Sequence, residues 1–256
     1  MTGDLADRIA IVTGGASGIG RASAETLMHR GATVGVLDRS ADVPDGATAL
    51  IADVTDGMAV TPAIDQFCDN QGRLDVLVNN AGVGFVGGIE TGTEDDWRRV
   101  FDINVFGQMR VVRAALPWLR KSNAASIIIM SSCSAINGIP DRVLYSASKG
   151  AVQSMMLALA TDLVDEGIVV NAIAPGTVDT PFMREIIDRA DDPAMLRASF
   201  DARQPTGHML APAEIGHAVA YLASPLARST TGATLEIDGG MGTIRPARTI
   251  PTGRTP

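Results

Sequence analysis

The chain is poor in the residues on which several large functional classes depend. Cys68 and Cys133 are its only cysteines, too few for a disulfide scaffold and most simply free thiols. His29, His208 and His217 are the only histidines, and they are scattered without ligand spacing, so no metal site is expected. Lysine is nearly absent: of 21 basic residues only Lys121 and Lys149 are lysines, and no Lys/Arg-rich run occurs. Against 29 acidic residues this leaves a formal net charge of −8. That balance lacks the electrostatic footprint of a nucleic-acid binder and offers nothing to an anionic membrane. Every apolar run is broken by Gly, Asp or Arg well short of the roughly 20 residues a membrane helix needs. The opening MTGDLADRIAIVTGG has no basic start, apolar stretch and small-residue cleavage site in succession. It does not read as a signal peptide, and a soluble cytoplasmic protein is expected.

What is present is apolar and rich in glycine. Hydrophobic residues make up 46% of 256 positions, which excludes disorder and is enough for a substantial single core. Short β-branched or apolar runs at Ile9–Thr13, Thr33–Leu37, Ala47–Ala52, Val76–Asn79, Ser126–Ser131, Ile168–Ala174 and Thr234–Ile237 predict strands. Several lack in/out alternation; the run IIIM at 127–130 is apolar throughout, as in a parallel strand covered on both faces. Between them lie helical stretches at Gly20–Arg30, Thr61–Asn70, Asp96–Lys121, Val143–Asp165, Met183–Arg189 and Ala213–Leu222. This alternation predicts a doubly wound α/β fold with a seven-stranded parallel sheet. No Pro/Gly/Ser-rich linker divides the chain, so one domain over 1–243 is expected, with 244–256 an extended tail.

The first strand runs directly into Gly14-Gly15-Ala16-Ser17-Gly18-Ile19-Gly20 and then a helix. Glycines at 14, 18 and 20 suit a tight turn whose backbone comes close to a pyrophosphate, behind which a helix N-terminus presents unpaired N–H groups. The second strand is followed at once by Asp38, about 20 residues beyond the loop, where a carboxylate accepts hydrogen bonds from an adenosine ribose and repels a 2′-phosphate. Arg39 beside it could hold that phosphate. With Asp38 in place and no basic residue at Gly15, Ala16 or Ser17, NAD is expected rather than NADP.

Tyr145 and Lys149 stand four apart in YSASK at the start of a predicted helix and so share a face. In a chain with two lysines that spacing is a poor accident. Together with TGGASGIG at 13–20, Asp53-Val54, NNAG at 79–82, Asn104, Ser132, PG at 175–176 and DGG at 238–240, it makes the sequence resemble the short-chain dehydrogenase/reductase family along nearly its whole length. The resemblance implies a Rossmann-type fold, an oxidoreductase and a homotetramer. It makes Tyr145 the general acid/base, with its pKa lowered by the Lys149 ammonium and a bound oxidised nicotinamide. Of Ser131, Ser132 and Ser134, the family's spacing selects Ser132 to orient the substrate oxygen. Asn104 would fix its helix and hold a water that relays protons through Lys149, which would also hydrogen-bond the nicotinamide ribose. The implied cofactor set is Gly14, Ser17, Gly18, Ile19, Gly20, Asp38, Arg39, Asp53, Val54, Asn80, Ala81, Gly82, Tyr145, Lys149, Pro175, Gly176, Thr177, Val178 and Thr180.

The stretch at about 177–212 would form a lid over the substrate. It carries Arg184, Arg189, Arg197 and Arg203, while Arg142 lies three residues before Tyr145. The TVDTP start, the later RQ.TG pattern and Arg142 resemble the subgroup that oxidises 3-hydroxybutyrate or keto-deoxy sugar acids. Arg142 and Arg203 are therefore expected to reach a substrate carboxylate, because a guanidinium fork donates two parallel bonds to it. The alternative is that these arginines pair with Asp188, Asp191, Asp192 or Asp201 on solvated helices. The competing functions are an NADPH-dependent ketoacyl-thioester or steroid/polyol carbonyl reductase, and a nucleotide-sensing protein without catalysis. The thioester reductase calls for more basic residues near the loop than Arg39 alone, and the sensor for loss of Tyr145 or Lys149.

Overall fold

The computed structural model describes residues 3–246. The last ten residues of the expected tail lie outside that range. Seven strands, β1 (Ile9–Thr13), β2 (Thr33–Asp38), β3 (Thr48–Ile51), β4 (Val76–Asn79), β5 (Ser126–Met130), β6 (Val169–Pro175) and β7 (Thr234–Ile237), form one sheet in the order β3-β2-β1-β4-β5-β6-β7. Every pair is parallel. Helices α1 (Gly18–His29), α2 (Gly57–Gln71), α3 (Glu94–Phe101), α4 (Gln108–Leu119), α5 (Val143–Leu163), α6 (Pro181–Asp188), α7 (Pro193–Asp201) and α8 (Pro212–Ala223) complete it.

The uninterrupted apolar strands are explained by cover on both faces. Alternate residues point to opposite sides of a strand. Ile9, Ile11, Ile127 and Ile129 pack with residues of α2, α4 and α5. Ala10, Val12, Ile128 and Met130 pack with α1 and α8. β1 lies between β2 and β4, so the chain winds outward in both directions from it and leaves a crevice at the carboxyl ends of β1 and β4.

Two helical expectations need correction. The single helix expected over Asp96–Lys121 is two helices joined by a π-helical turn, Asp102–Gly107. Inside that turn the Asn104 side chain bonds Val83 and Ser148, and Arg110 Nη2 holds Asp102 Oδ1 at 2.8 Å. Side-chain bonds made out of the turn thus accompany the break in the regular ladder, a feature frequent at functional sites. In the long 177–212 segment, α7 was not expected at all. Asp192 caps it by accepting from the Met195 N–H, and Pro193 opens it with a preset φ. The helices α6 and α7 enclose a small core of their own, Ile187, Phe200 and Met209, apart from the two main cores.

Candidate active site

At the crevice lies a cleft of about 880 Å³. Its floor is the loop between β1 and α1, where Gly14 and Gly18 have φ of 65° and 55°, a region that strains any residue bearing a Cβ. Ser17 stands at the N-cap of α1, yet its hydroxyl makes no capping bond, so the first N–H groups of the helix keep their donors for a ligand. Gly14, Ser17, Gly18 and Ile19 line the cleft. Gly20 lies just behind it. A Cβ there would lie 2.1 Å from the Gly14 carbonyl oxygen, so Gly20 permits the turn to fold against its own helix.

Asp38, at the end of β2, accepts the Ala16 N–H at 3.1 Å and the Ser40 N–H at 3.0 Å. Arg39 is 78% exposed and turns toward Asp53, 3.9 Å away. Hydrogen bonds from the Thr55 N–H and hydroxyl hold the Asp53 carboxyl below its ordinary range, with Arg39 adding a smaller pull. Val54 lines the cleft beside it. From the other side of β1, Thr13 Oγ1 accepts the N–H groups of Asn80 and Ala81, and Asn80 Nδ2 donates to the Thr13 and Gly14 carbonyls. This welds the 80–82 loop to the glycine turn. Gly82 is closed in by Asn104 Oδ1 and Lys149 Nζ, 3.1 and 3.5 Å from where its Cβ would stand. Pro175, Gly176, Thr177, Val178 and Thr180 line the far wall.

The reactive-type side chains converge from three elements. Ser132 follows β5, and its Oγ accepts from the Ser134 N–H and hydroxyl at 3.2 and 3.0 Å. Tyr145 and Lys149 project from one face of α5, with Nζ 5.8 Å from the ring centroid. The Lys149 ammonium is buried, donates to the Met130 carbonyl at 2.8 Å, and is pushed down by desolvation to about 8. Burial pushes the Tyr145 phenol up, and the hydrogen bond with Ser132 and the charge of Arg142 pull it back. Asn104 is fully buried and does not line the cleft; it braces the π turn against α5 through Ser148. Ser148, whose Oγ also donates to the Tyr145 carbonyl, went unread in the sequence although it lies within YSASK.

The five arginines separate into two groups. Arg184 and Arg197 both pair with Asp179, at 2.9 and 3.3 Å, and Arg189 pairs with Glu185. The ion-pair alternative holds for these three, but the partners are not those expected, apart from a 3.9 Å approach of Arg197 to Asp201. Arg142 and Arg203 line the cleft with Ser132 and Tyr145, and neither forms an ion pair among the described residues. Arg142 Nη1 donates to the Phe85 carbonyl at 3.2 Å, and Arg203 stacks on Phe200 at 4.5 Å. Burial, then the neighbouring charge of Arg142, hold the Arg203 guanidinium below its ordinary value. Its neighbour Gln204 was missed. It is buried, takes the Thr177 N–H on Oε1 and gives Nε2 to the Phe200 and His208 carbonyls, tying α7 to the loop after β6.

Cys133 is buried with its sulfur 4.0 Å from that of Met241, and desolvation raises its thiol pKa, as for Cys68, pushed up to about 12. Both are packed, free thiols. Among the described residues no group of His, Cys, Asp and Glu is arranged to hold a metal ion, and no helix is long and apolar enough to cross a membrane.

Comparison with known proteins agrees with this geometry. Residues 14–242 match the family model described as enoyl-(acyl carrier protein) reductase. The chain is 38% identical, over 90% of its length and 78% of the relative's, to the 2-keto-3-deoxy-L-fuconate dehydrogenase of Xanthomonas campestris. It is 37% identical, over 92% and 97%, to the cis-4-hydroxycyclohexanecarboxylate dehydrogenase of Sinomonas cyclohexanicum. The ligand-free structure of the Thermoplasma acidophilum aldohexose dehydrogenase superposes with a TM-score of 0.91 at 33% identity, covering 97% of this chain and 99% of that one. On sequence, fold and site together, the chain belongs to the short-chain dehydrogenase/reductase family and is an NAD(P)-dependent oxidoreductase.

Proposed function

We propose that this protein is an NAD-dependent dehydrogenase that interconverts a secondary alcohol and a ketone on a small hydroxy acid or sugar acid. The observation that carries the substrate class is the pair Arg142 and Arg203, two guanidinium groups without carboxylate partners among the described residues, in the same cleft as Ser132 and Tyr145. Two unneutralised cations side by side repel; an anion between them relieves that repulsion and takes charge-assisted hydrogen bonds.

The glycine turn fits a dinucleotide: positive-φ glycines, a helix start with free donors and a carboxylate at Asp38 stand on one side of the cleft. A bound nicotinamide supplies the acceptor or donor of the hydride. The remaining work falls on side chains. Tyr145 Oη takes the carbinol proton in oxidation and returns it in reduction. The Ser132 hydroxyl holds the reacting oxygen and stabilises charge that develops on it. Lys149 supplies a positive charge near Tyr145 and would hydrogen-bond the nicotinamide ribose, while Asn104 ties the loop after β4 to α5 through Val83 and Ser148. NAD is favoured because the Asp38 carboxylate retains acceptor capacity for ribose hydroxyls and repels a phosphate, whereas Arg39 is drawn toward Asp53. The 177–212 segment acts as the substrate lid of a single domain extending to about residue 243.

We also assign the protein to the cytoplasm as a homotetramer. Leu157 on α5 and Val164 just after it leave apolar surface, and Trp97, Phe101 and Phe106 line a shallow groove on α3 and the π turn, surface that suits burial between subunits. Light scattering on the purified protein tests the assembly.

The function is tested by titrating both cofactors by fluorescence and then measuring turnover of hydroxy acids, sugar acids and uncharged alcohols. NAD binding tighter than NADP, with acids preferred over alcohols, is the expected result. Equal use of NADP removes the ribose assignment, and equal use of uncharged alcohols removes the carboxylate assignment.

A further inference from the structure

We propose that the body of the substrate is aliphatic: an acid whose carbon frame, apart from the reacting carbinol and the carboxylate, carries no further hydroxyl groups. This rests on the carboxylate reading above and narrows it, because that reading admits sugar acids equally.

The reason lies in which atoms the substrate end of the cleft leaves free. Its walls come from four separate segments and are apolar in each: Phe85 from the loop after β4, Ile139 from the loop before α5, Phe182, Met183 and Ile186 from α6, and Met241 from the turn after β7. Phe182 leans over the loop after β4, its ring 3.7 Å from where a Cβ on Gly84 would stand, yet it remains 58% exposed at the rim. Arg203 presents the same character, with its guanidinium laid on the Phe200 ring.

The polar side chains at this end are few, and several already donate a hydrogen bond inside the protein. Ser131 Oγ donates to Gln153 Oε1, Ser134 Oγ to Ser132, and Arg142 Nη1 to the Phe85 carbonyl. A substrate hydroxyl needs an acceptor for its proton; arginine has none, and beyond the reacting Ser132 and Tyr145 the hydroxyl acceptors at this end are the lone pairs of the buried Ser131 and Ser134. Among the described residues, the Asp and Asn side chains that line the cleft are Asp38, Asp53 and Asn80, all beside the glycine turn, and no Glu, Gln or His lines it. A polyhydroxylated acid would therefore bring more hydroxyls than this end has acceptor side chains for, and each one left against the apolar walls without a partner costs binding. An aliphatic frame pairs nothing, loses nothing, and covers Phe182, Met183 and Ile186 from water.

The test is a set of four alcohols built on one six-membered ring, assayed with NAD. They are cis-4-hydroxycyclohexanecarboxylate, its polyhydroxylated counterpart quinate, cyclohexanol and myo-inositol. A hydrophobic pocket rejects an added hydroxyl by only about 10²-fold, so hydroxycyclohexanecarboxylate should exceed quinate in kcat/KM by roughly that factor or more. Quinate or an open-chain sugar acid turned over as well or better overturns the proposal and leaves the hydroxy-acid reading standing. Acids no better than the two neutral alcohols overturn the hydroxy-acid reading, and cyclohexanol against inositol then decides the aliphatic body by itself. In parallel, binding of unreactive cyclohexanecarboxylate and of quinate to the NAD-loaded protein is measured by thermal shift, so the outcome does not hinge on where the carbinol falls. Tighter binding of cyclohexanecarboxylate supports the proposal; equal binding, or none by either, overturns it. Phe182→Ser should shrink the preference several-fold, and an unchanged ratio in that variant also counts against it.

Discussion

Replacing Arg203 with alanine separates substrate recognition from catalysis. The guanidinium is free of carboxylates among the described residues, is stacked on Phe200 at 4.5 Å, and feels the charge of Arg142. An anion bound between the two arginines gains at least one charge-assisted hydrogen bond from each. Such a bond contributes about 1.5–3 kcal/mol, so Arg203→Ala should lower kcat/KM for a hydroxy acid by roughly 10- to 150-fold. An uncharged alcohol of similar frame should lose at most about threefold, because it makes no such bond. Phe200 is buried under the guanidinium, so the thermal midpoint should fall slightly, and equally whichever substrate is assayed. Arg203→Lys should recover part of the loss, since it restores the charge without the planar fork. Arg142→Ala should behave alike, and the double variant should depart from additivity by about 0.5–3 kcal/mol, as expected of two groups on one ligand. The assay is steady-state NADH formation on acid and alcohol in parallel. Equal losses on both substrates would refute the reasoning and leave Arg203 as a packing residue of α7.

Tyr145→Phe keeps the ring and removes the exchangeable proton; turnover should fall by about 10²–10⁴-fold with NAD affinity nearly unchanged, and near-normal turnover would exclude Tyr145 as the acid/base. Asp38→Ser removes the repulsion of a 2′-phosphate and frees Arg39, so the ratio of NADP to NAD use should rise; a ratio identical to wild type would place the ribose elsewhere. Lys149 is held near 8 in the fold against 10.5 for a free lysine, so between those values the unfolded chain binds the extra proton and stability rises with pH. Without cofactor, denaturation at pH 7.5 and 9.5 should show wild type gaining at most about 2 kcal/mol relative to Lys149→Met, and a difference of the opposite sign would contradict a desolvated ammonium.

The inner strands were legible because parallel strands covered on both faces are apolar, and Ile9–Thr13 and Val76–Asn79 lie where the runs of residues placed them; the edge strand Thr234–Ile237 does so too, although it is only partly buried. The glycine turn was legible too, since Gly14 and Gly18 serve a local backbone need. Gly20 was read with them, but its clash with the Gly14 carbonyl belongs to the packing of turn on helix and leaves no mark on spacing. The π turn was hidden for a similar reason. Residues 96–121 carry one helical periodicity, and the break coincides with bonds from Asn104 to Val83 and Ser148, each more than 20 positions away. Helix α7 escaped because its buried residue Phe200 packs into a small separate cluster with Ile187 and Met209 and not against the sheet.

The charges divide along the same line. By itself, the sequence determined that Tyr145 and Lys149 share a helix face, because a four-residue separation is a property of the helix alone. The family resemblance singled out Arg142 and Arg203, but why these two are left without carboxylate partners was decided only in three dimensions. Arg184, Arg197 and Arg203 lie in one segment with similar surroundings in sequence, yet Asp179 folds back to take the first two and leaves the third in the cleft with Arg142. The burial that pushes the Tyr145 phenol up was likewise invisible in the sequence, since it depends on everything packed around the ring. Local geometry can be read from neighbours in the chain; desolvation and partner choice depend on neighbours in space.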